Sequence, residues 1–136
     1  NNRLSEEYVN VMALSDRKSM PLYSAESEVL TLHHGEVGGI VVSNWKLTEE
    51  IHDAVLHHHQ PIAYSGKHKD LLLTVAMANY FANVSEIGYA GDRFPEKLDP
   101  AISDYLQMDL SFLEDEMEYR VAAEIEKARI FLQVAS

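Results

Sequence analysis

The stretch that decides the fold runs from Leu32 to Pro61, LHHGEVGGIVVSNWKLTEEIHDAVLHHHQP. Six of the chain's seven histidines lie within it. Apolar residues recur here at helical spacing, and no sustained alternation of period two competes with it. Gly38 and Gly39 sit inside a helical pattern, where each costs about 1 kcal/mol against alanine. Such a pair of small residues predicts the close approach of another helix. Thr48 opens the clearest helix, with Glu49 and Glu50 at its positive end. Ile51, Ala54, Val55 and, at the margin, His58 share one face, and Pro61 lies just beyond the end. Trp45, the single tryptophan, is expected in the core with its indole N–H bonded to a carbonyl.

Working outward, the same period continues, and the chain reads as all-α. Ser5 can cap a first helix with Tyr8, Val9, Met12 and Ala13 as its apolar face, fading before Pro21. A second helical stretch starts near Ser24 and carries Val29, Leu30 and Leu32 into the histidine segment. PIAYSGKHK reads as a loop, marked by Pro, Ser and Gly. DLLLTVAMANYFANV is apolar nearly all round and is expected to be a buried central helix. Residues 87–100, IGYAGDRFPEKLDP, form a long loop of a kind that is uncommon and often functional. In it Asp92 and Arg93 either meet a partner or face solvent. Pro100 can start a short helix through Leu106. Ser111 with Glu114 reads as a capping box for a last helix striped by Leu113, Met117, Val121, Ile125, Ala128 and Leu132.

The 136 residues suit one domain, able to bury roughly two-thirds of the surface of its unfolded form. There is no cysteine, hence no disulfide framework, thiolate metal site or cysteine nucleophile. A formal net charge of −11 argues against nucleic acid, which needs a local surplus of Lys and Arg, and against an anionic membrane surface. No apolar run approaches the ~20 residues of a membrane span, and no signal-peptide pattern is seen. A cytoplasmic location is expected. The chain opens NNRLSEE without Met, and is expected to be a fragment of a longer multidomain regulator.

The histidines admit two readings. Neutral imidazole is a ligand for transition metals. His34 lies on one helix, and His57, His58 and His59 lie at the end of the next. Successive helical residues point about 100° apart, so at most two of the three can aim at one ion. HHGE lacks the HExxH spacing that sets two histidines on one helical face. The other reading is structural: imidazolium at a helix C-terminus meets the negative end of the dipole. Asn79, in the most apolar helix, is either an interhelical clamp or a residue lining a site. SGKHK lacks the upstream glycine and the Ser/Thr of a phosphate-binding loop, and neither GxSxG nor GxGxxG occurs.

Glu28 followed by HHGEVGGIVVSNWKLTEEIHDAVLHHHQP resembles the HDOD domain, a helical signalling relative of the HD-type metal phosphohydrolases. The likeness rests on His34, Glu36, Val37, Gly38, Trp45, Leu47, Ile51, Ala54, His58, His59 and Pro61, and is best over residues 24–83. It implies an HD-domain-like helical bundle over residues 1–136. In the catalytic HD-GYP relatives, which hydrolyse cyclic di-GMP, His34 would match one metal ligand and His58 and His59 an adjacent pair. An early His and a His-Asp dyad have no counterpart and would precede residue 1. Asn79 stands about where a final Asp ligand would be, and an amide oxygen is a poorer ligand for a hard ion than a carboxylate. The GYP signature is absent.

The resemblance therefore implies a partial or vestigial metal site at His34, His58 and His59, no catalytic residues, and a ligand-binding role for Asn79. It implies a non-catalytic output or regulatory domain of a bacterial response-regulator-type protein. No cofactor is expected, unless a divalent transition metal. Expected partners are other domains of the same chain, such as a receiver, or a separate protein, with a homodimer left open. The competing expectation is a metal-dependent phosphohydrolase whose dyad lies upstream.

Overall fold

The computed structural model describes residues 3–84, 91–109, 111, 115–116, 119–120 and 122–134, the last few by backbone alone. It is an all-α, HD-like bundle. The helices are α1 (Arg3–Lys18), α2 (Leu22–Leu30), α3 (His34–Asn44), α4 (Glu49–His57), α5 (Lys69–Val84), α6 (Pro100–Leu106) and α7 (Ala122–Val134), with a 3-10 turn at Pro61–Ala63. Helices α1 and α2 pack as one pair, and α3 and α4 as another. Helix α5 touches α4, the 3-10 turn and α6.

Two apolar clusters form the core. Val11, Leu14, Leu22 and Ala25 join α1 to α2. Leu73, Ala76, Met77 and Phe81 of α5 close on Ile102 of α6, with Tyr80, Leu98 and Leu106 at the edge. Segment 91–99 ties the two together. Asp92 accepts from the backbone N–H of Leu22 at 3.2 Å and of Phe94 at 3.0 Å. Arg93 pairs with Asp16 of α1 at 3.3 Å. Both residues thus tie the segment to the first helix pair.

Several expectations shift. The first helix buries Val11, Leu14 and Ser15, whereas Val9 is 64% exposed and Met12 is also exposed. Two stripes overlap on α1, and contact with α2 selects the one that includes Ser15, whose hydroxyl is satisfied by the carbonyl of Met20 at 2.7 Å. The second helical stretch does not run into the histidines. It stops at Leu30, where Thr31 takes a left-handed conformation (φ 64°) that is costly for a β-branched residue. Helix α5 is buried along one face only, since Leu71 and Val84 are exposed. Trp45 is not in the core. It is 72% exposed, because α3 turns its glycines inward and its large side chains outward. Thr48 is the N-cap of α4, although its side chain makes no capping bond. Pro100 opens α6, capped by Asp99. The Glu114 half of the predicted capping box, the stripe residues Leu113, Met117, Val121 and Leu132, and part of loop 87–100 lie outside the described residues or side chains.

Candidate metal and ligand site

The local geometry at HHGE comes from capping. His33 is the N-cap of α3: its ring accepts from the backbone N–H of Gly35 at 3.1 Å, and Glu36 accepts from the N–H of His33 at 3.0 Å. This capping box uses an imidazole where Ser or Thr is usual. It leaves His34 as the first residue of the helix, with a backbone N–H that needs a partner. Glu26 of α2 supplies it. Oε2 of Glu26 accepts from the His34 N–H at 2.8 Å and lies 2.7 Å from His34 Nδ1. Oε1 accepts from the Tyr8 hydroxyl at 2.7 Å. Glu26 is only 1% exposed, so its carboxylate is satisfied by protein donors near the positive end of α3. Burial first, and then the bond to Glu26, push the Tyr8 hydroxyl up to about 12, which keeps it a donor.

The three predicted histidines meet. His34, His58 and His59 each offer a ring nitrogen, and these atoms all lie within 4.8 Å of one another. Helix α3 approaches α4 closely because of its glycines. A Cβ at Gly38 would stand 2.6 Å from Val55 Cγ1, and one at Gly35 would stand 3.1 Å from the Val55 carbonyl. That carbonyl lies 2.8 Å from His58 Nδ1. Of the pair singled out in the sequence, Gly38 makes the close approach, with Gly35 beside it, whereas a Cβ at Gly39 would meet Leu56 at 3.4 Å, an ordinary contact.

The hydrogen-bond network assigns the tautomers. Nδ1–H of His34 donates to Glu26, and Nδ1–H of His58 donates to the Val55 carbonyl. In each ring Nε2 is then the acceptor nitrogen, the arrangement that an outer carboxylate or carbonyl imposes on a ligating imidazole. His59 Nε2 lies 2.8 Å from His34 Nε2, so His59 is the N–H donor of that pair. Its ring stacks on Tyr23 with centroids 4.2 Å apart. Burial depresses the pKa of both His58 and His59, the latter to about 3 with help from the neighbouring imidazoles. Both rings are therefore neutral at physiological pH, the form that binds a metal.

No carboxylate joins the three imidazoles. Glu96, whose pKa burial raises, lies 4.0 Å from His59 Nδ1, and Glu26 is committed to His34 and Tyr8. The imidazoles border a cavity of about 590 Å³ that Asn79, Tyr80 and Asn83 also line. Asn79 is half-buried, and its oxygens accept from the Asn83 amide. Among the described residues its hydrogen bonds stay within its own helix. The three imidazoles of His34, His58 and His59 would suit a single borderline transition ion such as zinc. They do not fit a pair of hard ions, which need bridging oxygens.

The other histidines lie elsewhere. His57 packs against the ring of Tyr64. His68 Nδ1 lies 3.0 Å from Asp53 and its Nε2 lies 3.4 Å from Glu50. The Tyr64 hydroxyl also bonds to Asp53, and this bond first, followed by His68 and His52, holds the Asp53 carboxyl down to about 2. A Cβ at Gly66 would stand 2.2 Å from the Tyr64 oxygen. Only glycine allows this latch, which fixes loop 61–68 to α4 behind His58 and His59.

Glu26, Tyr8, Tyr23 and Asn83 escape the sequence reading, which put the family's glutamate at Glu28. Glu28 is instead exposed and paired with Lys18 at 2.6 Å. The overlooked signal is spacing: Leu22, Ala25, Glu26 and Val29 share one helical stripe, and a carboxylate inside an apolar stripe needs a partner.

The HDOD domain family pattern matches residues 1–61, which hold His34, His58 and His59. That match begins earlier and ends sooner than the stretch read from the sequence. A solved HDOD domain protein with unknown function from Geobacter sulfurreducens shares the fold, with a TM-score of 0.60 at 22% identity over 96% of this chain. The chain spans 45% of that protein's length. None of the curated proteins matches it. Residues 1–61 thus carry HDOD family sequence, on a chain with the fold of a solved HDOD domain protein.

Proposed function

We propose that this chain is a non-catalytic signal-transduction output or regulatory domain, acting by binding a protein or ligand. The observation that carries the reading is the donor set. Three imidazoles converge, Asn79 offers a carboxamide where hydrolysis calls for a carboxylate, and the nearby carboxylates are engaged or too distant. Phosphodiester hydrolysis by two metals needs bridging carboxylates and a metal-activated water. The cavity suits a bound effector, and occupancy would be read out through α3 and α4, which meet at it. A cytoplasmic bacterial regulator with a receiver or other domain in the same chain is the setting we propose.

A second reading is favoured by the bond from Glu26 to His34, an outer-shell arrangement that metal ligands use. On it, His34, His58 and His59 belong to a metal-dependent phosphohydrolase whose upstream residues supply a His-Asp dyad. A bound ion would supply Lewis acidity, while this chain's residues orient the three imidazoles and burial keeps His58 and His59 neutral.

The separating experiment is elemental mass spectrometry on the purified protein and on His58→Ala, followed by assay of an activated phosphodiester with zinc, manganese and iron. The proposed function expects no turnover with any ion, whether or not zinc is bound at up to one per chain. Metal-dependent turnover that disappears in His58→Ala would overturn it in favour of the hydrolase.

A further inference from the structure

The cavity that the three imidazoles border has a volume of about 590 Å³, within the range of about 300–1,000 Å³ usual for small-molecule sites. Its charges narrow what it can take. Apolar walls come from Leu22, Ala76, Tyr80, Leu98 and Ile102. Three carboxylates, those of Asp92, Glu96 and Asp99, line it from segment 91–99. Lys97 is the one Lys or Arg among the described lining residues. Arg93, the other cation of the segment, does not line the cavity and pairs with Asp16 of α1 at 3.3 Å. Asp92 and Asp99 accept backbone N–H groups, which leaves their charge in place. An anionic head entering here would meet three carboxylates and a single lysine.

The second observation is one acceptor facing another. His59 donates its Nε2–H to His34, so Nδ1 of the neutral ring is a lone pair. Glu96 Oε2 lies 4.0 Å from that nitrogen. The other oxygen of Glu96 accepts from the Tyr23 hydroxyl at 3.1 Å. Asn83 spends its amide N–H groups on Asn79, so its own carbonyl oxygen adds a further acceptor to the lining. Two acceptors at this separation are bridged by a group with two or more N–H donors, and a primary ammonium carries three. Water can bridge such a pair too, but a cation also answers the surplus of carboxylates. We propose that the cavity takes an organic cation, with an ammonium head between Glu96 Oε2 and His59 Nδ1 and an apolar body against α5 and α6. The inference rests on the reading of the cavity as the effector site of a non-catalytic domain, and it names the effector's class.

The test uses chelator-treated protein and three probes with a shared apolar body: phenethylamine, phenethyl alcohol and hydrocinnamate. Titrations followed by the amide chemical shifts of the protein give an affinity for each. Phenethylamine should saturate, with its shifts centred on the cavity. The alcohol should bind about tenfold more weakly, and hydrocinnamate more weakly still. Glu96→Gln keeps the size and the acceptor for Tyr23 but removes the charge. It should weaken the amine about tenfold and leave the alcohol unchanged, so that the preference disappears. Glu28→Gln, exposed and outside the cavity, should change none of the three, which separates the site from the general attraction of a chain of net charge −11 for cations. Salt gives a measure that needs no variant: in the unaltered protein it should weaken the amine more than the alcohol. Equal or tighter binding of the alcohol or of hydrocinnamate would overturn the proposal. So would an amine preference that survives Glu96→Gln, or the absence of saturable amine binding. Selection of hydrocinnamate without phosphodiester turnover would remove the ligand class and leave the regulatory reading in place. Selection of the amine together with turnover would do the reverse.

Discussion

At the scale of single residues, one buried carboxylate organises the candidate site. Glu26 receives the Tyr8 hydroxyl, the N–H of His34 and the Nδ1–H of the same residue. Removing one partner of a buried polar set costs about 1–3 kcal/mol. Glu26→Gln keeps the shape but turns an acceptor oxygen into a donor amide facing N–H groups. It should lower unfolding stability in urea by an amount in that range. Glu28→Gln, two residues away and exposed, should change it by less than about 0.5 kcal/mol. Equal effects would show that Glu26 does not hold His34. The contrast also shows what sequence could and could not reveal. That His34, His58 and His59 belong together was legible through a resemblance, and their ring nitrogens do gather in space. Glu26 was not, because glutamate is rarely buried and an exposed glutamate stands two positions on. Which histidines would face each other was likewise out of reach of spacing, since it depends on how closely α3 approaches α4.

At the scale of elements, that approach is set by Gly38. An added Cβ would lie 2.6 Å from Val55 Cγ1, so something must shift. Gly38→Ala should gain about 1 kcal/mol in helix propensity and lose about 1–3 kcal/mol to overpacking, for a net loss. Combining it with Val55→Ala removes the obstructing methyl, so the double variant should be more stable than the sum of the single effects predicts. Strict additivity in urea titrations would mean that the two helices are not held at this contact. Helix boundaries were readable where the residue type is a usual start signal, as at Thr48, an N-cap by position without a side-chain bond, and at Pro100. The break before α3 was not, since Thr31 is a poor residue for a left-handed turn and His33 an unusual cap. The face of α1 and the place of Trp45 at the end of α3 were misread for a shared reason. Periodicity shows that a stripe exists but not what covers it, and both helices carry more apolar surface than their neighbours in this chain bury.

At the scale of the whole molecule, acid should act through the histidines before it reaches the carboxylates. His59 has a folded pKa of about 3, against ~6.5 when unfolded. Between these values the unfolded chain binds more protons, so stability rises with pH in that window. Its contribution is complete above ~6.5 and is lost as pH falls toward 3. His58 is depressed in the same direction by the same burial. Asp53, held at about 2, adds a loss only below its unfolded value of ~3.9. A second effect has the opposite sign: at a net charge of −11, acidification relieves self-repulsion and favours the compact state. Salt distinguishes them, because it screens diffuse surface repulsion far more than the desolvation of a buried ring. For chelator-treated protein, the urea midpoint should therefore fall between about pH 7 and pH 5. That fall should persist, and steepen if anything, in about 0.5 M salt. In His59→Phe, which removes the titrating group and keeps a ring against Tyr23, most of the slope should vanish. A midpoint that stays flat down to the carboxylate range would mean that His59 is solvated in the folded protein, and its neutrality at the candidate site would lose its physical basis.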